Sequence, residues 1–337
     1  MIIDADTHVI ETERTWDFME GADRKYVPQP IKVERNGRQQ EFWLLDDRLT
    51  PRRQNIGADT SEAAREMLDL EGRISHMDQL GVDVQVLFPT MFLRPATTKP
   101  EVELALCRAY NRWLAHIWSR GQGRLRWAVM LPLMSMPEAL NELRWSKEHG
   151  AVAVFMRAFE GERRPADPYF FPLFEEASRL GMPLAFHAAI GSLLLNDMFG
   201  DESFSKFKFP VFHAFWSFVA NDIPSRFPEL RVGFVEASAR IPHVIHHLAS
   251  SLKRQGREVP PDLLRRSRLY VTCQTDDDLD YILRYSGDDN LIIGSDYGHN
   301  DTSSELEALR HLKEKGEVPP AVVDKILGPN AAAFYGL

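Results

Sequence analysis

The sequence predicts an α/β protein built as a (β/α)8 TIM barrel. Three observations predict it. Eight short apolar runs are spread through the 337 residues, and helical patterns separate most of them. The runs are apolar throughout, as parallel strands covered on both faces must be. Parallel strands need crossover connections, which the helices supply. An open doubly wound sheet is the alternative; no glycine-rich phosphate loop follows an early strand, which weakens it.

Taken in order, MIID at 1–4 starts the first strand. Residues 12–60 are polar, rich in Arg, Asp and Gln, and punctuated by Pro28, Pro30 and Pro51. They read as an insertion after that strand, with a small hairpin around EFWLL at 41–45. A helix is expected over 61–80 with Ser61 as its N-cap. Strands follow at 82–88, 125–132, 151–156, 183–187, 231–236, 269–273 and 291–296. Helices are read at 100–120, 137–149, 170–181, 241–255, 277–286, 302–315 and 320–334. The stretch 188–229 is aromatic-rich and is expected to cover the barrel mouth. All of 1–337 is read as one domain.

Hydrophobic residues make up 44% of the chain and charged residues 26%, the balance of a globular protein with a large core. A net charge of −9 offers no footprint for nucleic acid or an anionic membrane. Cys107 and Cys273 are too few for a disulfide framework and have no partner at metal-ligand spacing. The N-terminus lacks a signal-peptide pattern, and no apolar run approaches the ~18 residues that span a bilayer. A soluble cytoplasmic protein with a small-molecule substrate is the expectation.

Catalytic groups of such a barrel sit at the C-terminal ends of its strands. Strand one ends in Asp4-Ala5-Asp6-Thr7-His8, strand five in His187, strand six in Glu236 and strand eight in Asp296. Asp6 and His8, two apart, point to one face of a strand and can share an ion. Two imidazoles and two carboxylates suit one divalent metal: zinc first, with manganese or iron as alternatives. Any one of these residues alone is more often a hydrogen-bonded loop group. Their convergence at three strand ends favours the metal.

IDADTHVIE (3–11), DPYFFPLFEEASRLGMPLAFHAA (167–189), RFPELRVGFVEASARIPHVIHHL (226–248), LIIGSDYGHND (291–301) and NAAAFYGL at the C-terminus occur in that order. Together they resemble the amidohydrolase-related family that includes the aminocarboxymuconate-semialdehyde decarboxylase-like and γ-resorcylate decarboxylase-like enzymes. The resemblance implies a barrel with one divalent metal, held by Asp6, His8, His187 and Asp296. Met156 and Arg157 stand where the binuclear branch carries a bridging lysine, so a mononuclear site is implied. The decarboxylases usually end strand six in a catalytic histidine; here Glu236 stands there. Family habit implies a homodimer or larger assembly.

Around that set the candidates are less specific. Glu236 is read as a general base, an orienting group or a capping carboxylate. His213 either replaces the missing imidazole or packs on its helix. Arg157 either clamps a substrate carboxylate or forms a salt bridge. Trp216, in the aromatic stretch, lines a pocket for a flat substrate or belongs to core or interface. His299 and Glu11 are candidate supports for the metal ligands. His243, His246 and His247 lack the zincin glutamate and read as packing or surface groups. Asp296 is placed to take a proton from a metal-activated water, and the loss of the strand-six histidine tilts the reading to hydrolysis of a small aromatic or conjugated carboxylate or amide. The alternative is non-oxidative decarboxylation of an aromatic or unsaturated acid. A non-catalytic ligand-binding barrel is a further alternative.

Overall fold

The computed structural model describes residues 1–35, 37–53, 55–200, 202–237 and 241–337. Residues 36 and 54 of the expected insertion, 201 of the mouth segment, and 238–240 after Glu236 lie outside the described residues. Eight parallel strands form one sheet in chain order: β1 (Ile3–His8), β5 (Val84–Phe88), β6 (Leu125–Val129), β7 (Ala151–Arg157), β8 (Leu184–His187), β9 (Val232–Val235), β10 (Leu269–Cys273) and β11 (Leu291–Ile293). The ring closes just past β11, where Thr7 pairs with Tyr297 and Asp296 N donates to Asp6 O at 2.9 Å. The expected barrel is what forms.

Nearly every strand residue is buried, because helices cover the outside and side chains fill the inside. Part of the aromatic stretch is core, while Phe204 and Phe209 stay exposed. On the helix Phe209–Ala220, Phe215 packs against Phe234 at 5.2 Å and Phe218 against Phe186 at 5.1 Å. Burying each such ring contributes roughly 2–3 kcal/mol.

Five elements differ from the expectation. The strand begun by MIID runs on to His8, because it pairs with β5 on one side and residue 297 on the other. The insertion builds a three-stranded antiparallel sheet, β2 (Gln29–Arg35), β3 (Arg38–Leu45) and β4 (Arg48–Pro51), rather than a small hairpin. Its Trp43 packs edge-on to Trp16 at 6.1 Å. The helix expected over 61–80 is two pieces. Ser61 caps a single turn, Glu62–Arg65, as read; Asp69 then accepts from Gly72 N and starts Leu70–Leu80 afresh. An aspartate that can cap competes with helix continuation. Of 302–315 only Ala308–Lys315 is helical, since Asp301, Ser303 and Ser304 spend their polar groups on a turn that leans on the mouth. The last helix breaks at Gly328, ahead of Pro329. No helix among the described residues is long and apolar enough to cross a membrane.

Candidate metal centre and mouth cavity

At the mouth, β1 delivers Asp6 and His8, β8 delivers His187, and the turns after β9 and β11 deliver Glu236 and Asp296. Asp6 Oδ1 lies 3.3 Å from His187 Nε2 and 3.5 Å from His8 Nε2, and Asp296 Oδ1 lies 3.3 Å from His8 Nε2. All five side chains are buried. Glu236 (φ 57°) and Asp296 (φ 53°) occupy the left-handed backbone region, which costs a non-glycine residue on the order of 1 kcal/mol. Such strain is characteristic of sites where side-chain direction matters more than backbone comfort.

The backbone fixes both imidazoles. His8 Nδ1 is 2.9 Å from Pro89 O, and a carbonyl can only accept, so the proton sits on Nδ1. The Nε2 lone pair then faces two carboxylate oxygens with no hydrogen-bond partner of its own. His187 Nδ1 likewise donates to Ala188 O at 3.1 Å and lies 3.4 Å from Glu236 Oε2, leaving Nε2 toward Asp6. Lone pairs and carboxylates gathered in a buried space repel unless positive charge lies between them. Burial lowers the His187 imidazole, but Asp6 and Glu236 outweigh it and hold it up at about 9. Burial, then His299 and His187, press His8 well below its ordinary value. A divalent ion meets this demand, and the donor set fits one: Asp6, His8 and His187 can offer ligand atoms within 4.8 Å of one another, as can Asp6, Glu236 and Asp296.

The surroundings are specific. Burial raises the Asp296 carboxyl, against the pull of His299. His299 Nδ1 is 2.9 Å from Asp296 Oδ1 and its Nε2 is 2.9 Å from Thr90 Oγ1. Thr90 spends its own hydroxyl proton on Val9 O, so His299 must donate to it, and the His299–Asp296 pair holds a further proton between them. Burial pulls the His299 imidazole down, but Asp296 raises it overall. Ser304 Oγ donates to Asp296 Oδ2 at 2.6 Å. Lys208 Nζ donates to Glu236 Oε1 at 3.0 Å and also to Ser303. Below, Asp4 accepts from Ser295 N at 2.8 Å and tethers the residue before Asp296.

A cavity of about 690 Å³ opens beside this cluster. Its wall includes Glu236, His299, Lys208 and Phe207, Arg94 after β5, and Trp43 and Arg52 from the inserted sheet. The structure therefore brings together Asp6, His8, His187, Asp296, Glu236 and His299. It does not bring Arg157, His213 or Trp216 to this wall. Arg157 is buried and folds back on Glu160, taking both of its oxygens, because a tight turn follows β7. His213 stacks on Phe159 at 5.0 Å, and Trp216 packs against His247 at 5.2 Å. Glu11 supports the turn after β5 by accepting from Thr90 N and Met91 N, and does not join the ligand cluster. Lys208 and Arg94 were missed by sequence reasoning. Lysines within an aromatic run, FSKFKF at 204–209, were the one available signal for the first.

A family model described as Amidohydrolase matches residues 3–337. The chain is 22% identical over 294 residues to 2-amino-3-carboxymuconate-6-semialdehyde decarboxylase of Dictyostelium discoideum, covering 80% of this chain and 77% of that one. Among solved structures, an amidohydrolase from Mycobacterium avium subsp. paratuberculosis superposes with a TM-score of 0.81 at 18% identity, over 100% of this chain and 98% of the other. A 5-carboxyvanillate decarboxylase from Novosphingobium aromaticivorans, complexed with manganese and 4-hydroxy-3-methoxy-5-nitrobenzoic acid, superposes with a TM-score of 0.68 at 19% identity, over 83% and 85%.

Proposed function

This chain belongs to the amidohydrolase family and is an enzyme of it; from that premise we propose that it removes a carboxyl group non-oxidatively from an aromatic or unsaturated carboxylic acid. The observation that carries this reading is the His299–Asp296 pair, which holds a proton at the cavity wall. Decarboxylation consumes an acid at the reacting carbon, whereas water activation needs a base. The decarboxylase relatives support the same order of preference, which reverses the expectation of hydrolysis.

A divalent ion held by Asp6, His8, His187 and Asp296 would supply positive charge to substrate oxygens. Manganese stands beside zinc as the candidate, given the manganese in the Novosphingobium decarboxylase. Glu236 orients His187 through Nδ1, and Lys208 holds Glu236 in place. Phe207 gives a flat apolar surface, and Arg94 gives the cavity a cationic group for an organic anion. The bond to the carboxyl carbon breaks, its electron pair stays on the substrate carbon, and the Asp296–His299 pair delivers a proton there as carbon dioxide leaves. Solvent returns that proton to His299.

Hydrolysis is the second reading, favoured by Glu236 at the position where the decarboxylases resembled here carry a histidine. The test is a panel of aromatic and unsaturated acids with the metal-loaded enzyme in D2O. Carbon dioxide release with one deuterium placed on the product carbon is expected. A product carrying a water oxygen without carbon dioxide would establish hydrolysis instead.

A further inference from the structure

The cavity wall carries four cationic side chains, and three are already paired. Arg52 makes two bonds to Glu13, Arg53 binds Glu62 and Glu66, and Lys208 binds Glu236. The wall's carboxylates are engaged as well: Glu11 by Thr90 N and Met91 N, and Asp301 by Asn55 and Ser303 N. Arg94 alone has no hydrogen bond or ion pair among the described residues; its one partner is the Phe207 ring, 5.7 Å from the guanidinium carbon. It is partly buried, and burial pulls its guanidinium below the ordinary value.

The backbone beneath Arg94 is pinned from three sides. Glu11 holds Thr90 N and Met91 N, Arg157 donates to Phe92 O at 3.4 Å, and Ile190 N donates to Leu93 O at 2.7 Å. The residue therefore leaves a fixed turn, not a loose loop. A part-buried guanidinium on a rigid support, facing a cavity and without a counter-ion among the described residues, is a prepared receptor for a planar anion.

Resting on the reading of an acidic substrate above, we infer that the natural substrate carries a second acidic group, and that Arg94 is the specificity-determining residue that binds it. The acid engaged at the Asp6–His8–His187–Asp296 cluster is one anion; Lys208 is already neutralised by Glu236 and does not compete for the other. The substrate class is then a planar dicarboxylate or a carboxylate with an equivalent oxyanion. A monocarboxylate of the same shape would bind with the Arg94 side unpaired.

Trp43 on the cavity wall offers a fluorescence readout that needs no turnover. Benzene-1,3-dicarboxylate and benzoate are titrated against the metal-loaded wild type and its Arg94→Ala and Arg94→Lys variants, with thermal unfolding as the check on folding. Wild type is expected to bind the dicarboxylate at least ~10-fold more tightly than benzoate, the scale of one charge-assisted contact. Arg94→Ala should erase that preference without weakening benzoate, and Arg94→Lys should restore part of it. An unchanged preference in a folded Arg94→Ala, no preference in wild type, or no binding of the dicarboxylate would overturn the inference. The reaction type is judged separately by carbon dioxide release, so a hydrolytic enzyme could still pass this test and a decarboxylase could fail it.

Discussion

His8 Nε2 stands 3.3 Å from Asp296 Oδ1 while its other nitrogen is committed to Pro89 O. The arrangement places a lone pair against a carboxylate inside the protein, which is stable only around positive charge. Purified protein is therefore expected to hold about one divalent ion per chain, and His8→Ala or His187→Ala to lose it. Activity should fall by at least ~10³-fold, the scale of losing an ion's charge stabilisation. Elemental analysis of the variants checks this; full metal retention in both would refute the ligand set.

Glu236 meets His187 on one oxygen and Lys208 on the other. Removing its charge should loosen the imidazole without removing a ligand. Glu236→Gln is expected to weaken metal affinity ~10–100-fold, the range for outer partners of a metal-bound histidine. Competition with a chelator of known affinity measures it.

Gly294 lies against β1 so closely that a Cβ there would sit 2.3 Å from Asp6 Cβ and 2.7 Å from Asp6 N. Gly294→Ala must push the strand that carries Asp6. A stability loss of ~1–3 kcal/mol is expected, with reduced metal content. Unchanged unfolding and unchanged metal would show that the strand yields freely.

Arg157 is predicted to matter for stability rather than for substrate affinity. It shares a buried pair with Glu160, so Arg157→Met leaves a buried carboxylate without its cation, at a cost of ~3–5 kcal/mol. Chemical denaturation checks the loss. A raised KM at unchanged stability would return Arg157 to the role its strand-end position suggested.

Burial raises the Glu11 carboxyl from 4.5 to about 7, against the bonds from Met91 N and Thr90 N. The folded state thus holds this proton more tightly than the unfolded chain does. Unfolding releases it between pH 4.5 and 7, so the group's contribution to stability declines as pH rises through that window. Relative to Glu11→Gln, the wild type should lose on the order of 3 kcal/mol between pH 4.5 and pH 7. Parallel stability curves for the two proteins would contradict the shift.

Much of the site was legible because strand ends are legible. Asp6, His8, His187 and Asp296 close apolar runs, and a barrel gathers such ends at one mouth. The same rule misled at Arg157, whose side chain is long enough to turn back onto a residue three positions on. His213 and Trp216 were ambiguous for another reason. Their helix is apolar nearly all round, so its sequence carries no stripe to say which face meets the cavity.

The order of residues along this chain is enough for the barrel and for the meeting of Asp6, His8, His187 and Asp296 at its mouth, because both follow from short-range periodicity and from the convergence of parallel strands. It is not enough for the charges of the cavity. Whether Arg53 meets Glu66, Lys208 meets Glu236, or Arg94 meets only the Phe207 ring among the described residues depends on loops folded together from distant parts of the chain. Ion pairing is decided by a few ångströms across that assembly, and only the tertiary structure sets those distances.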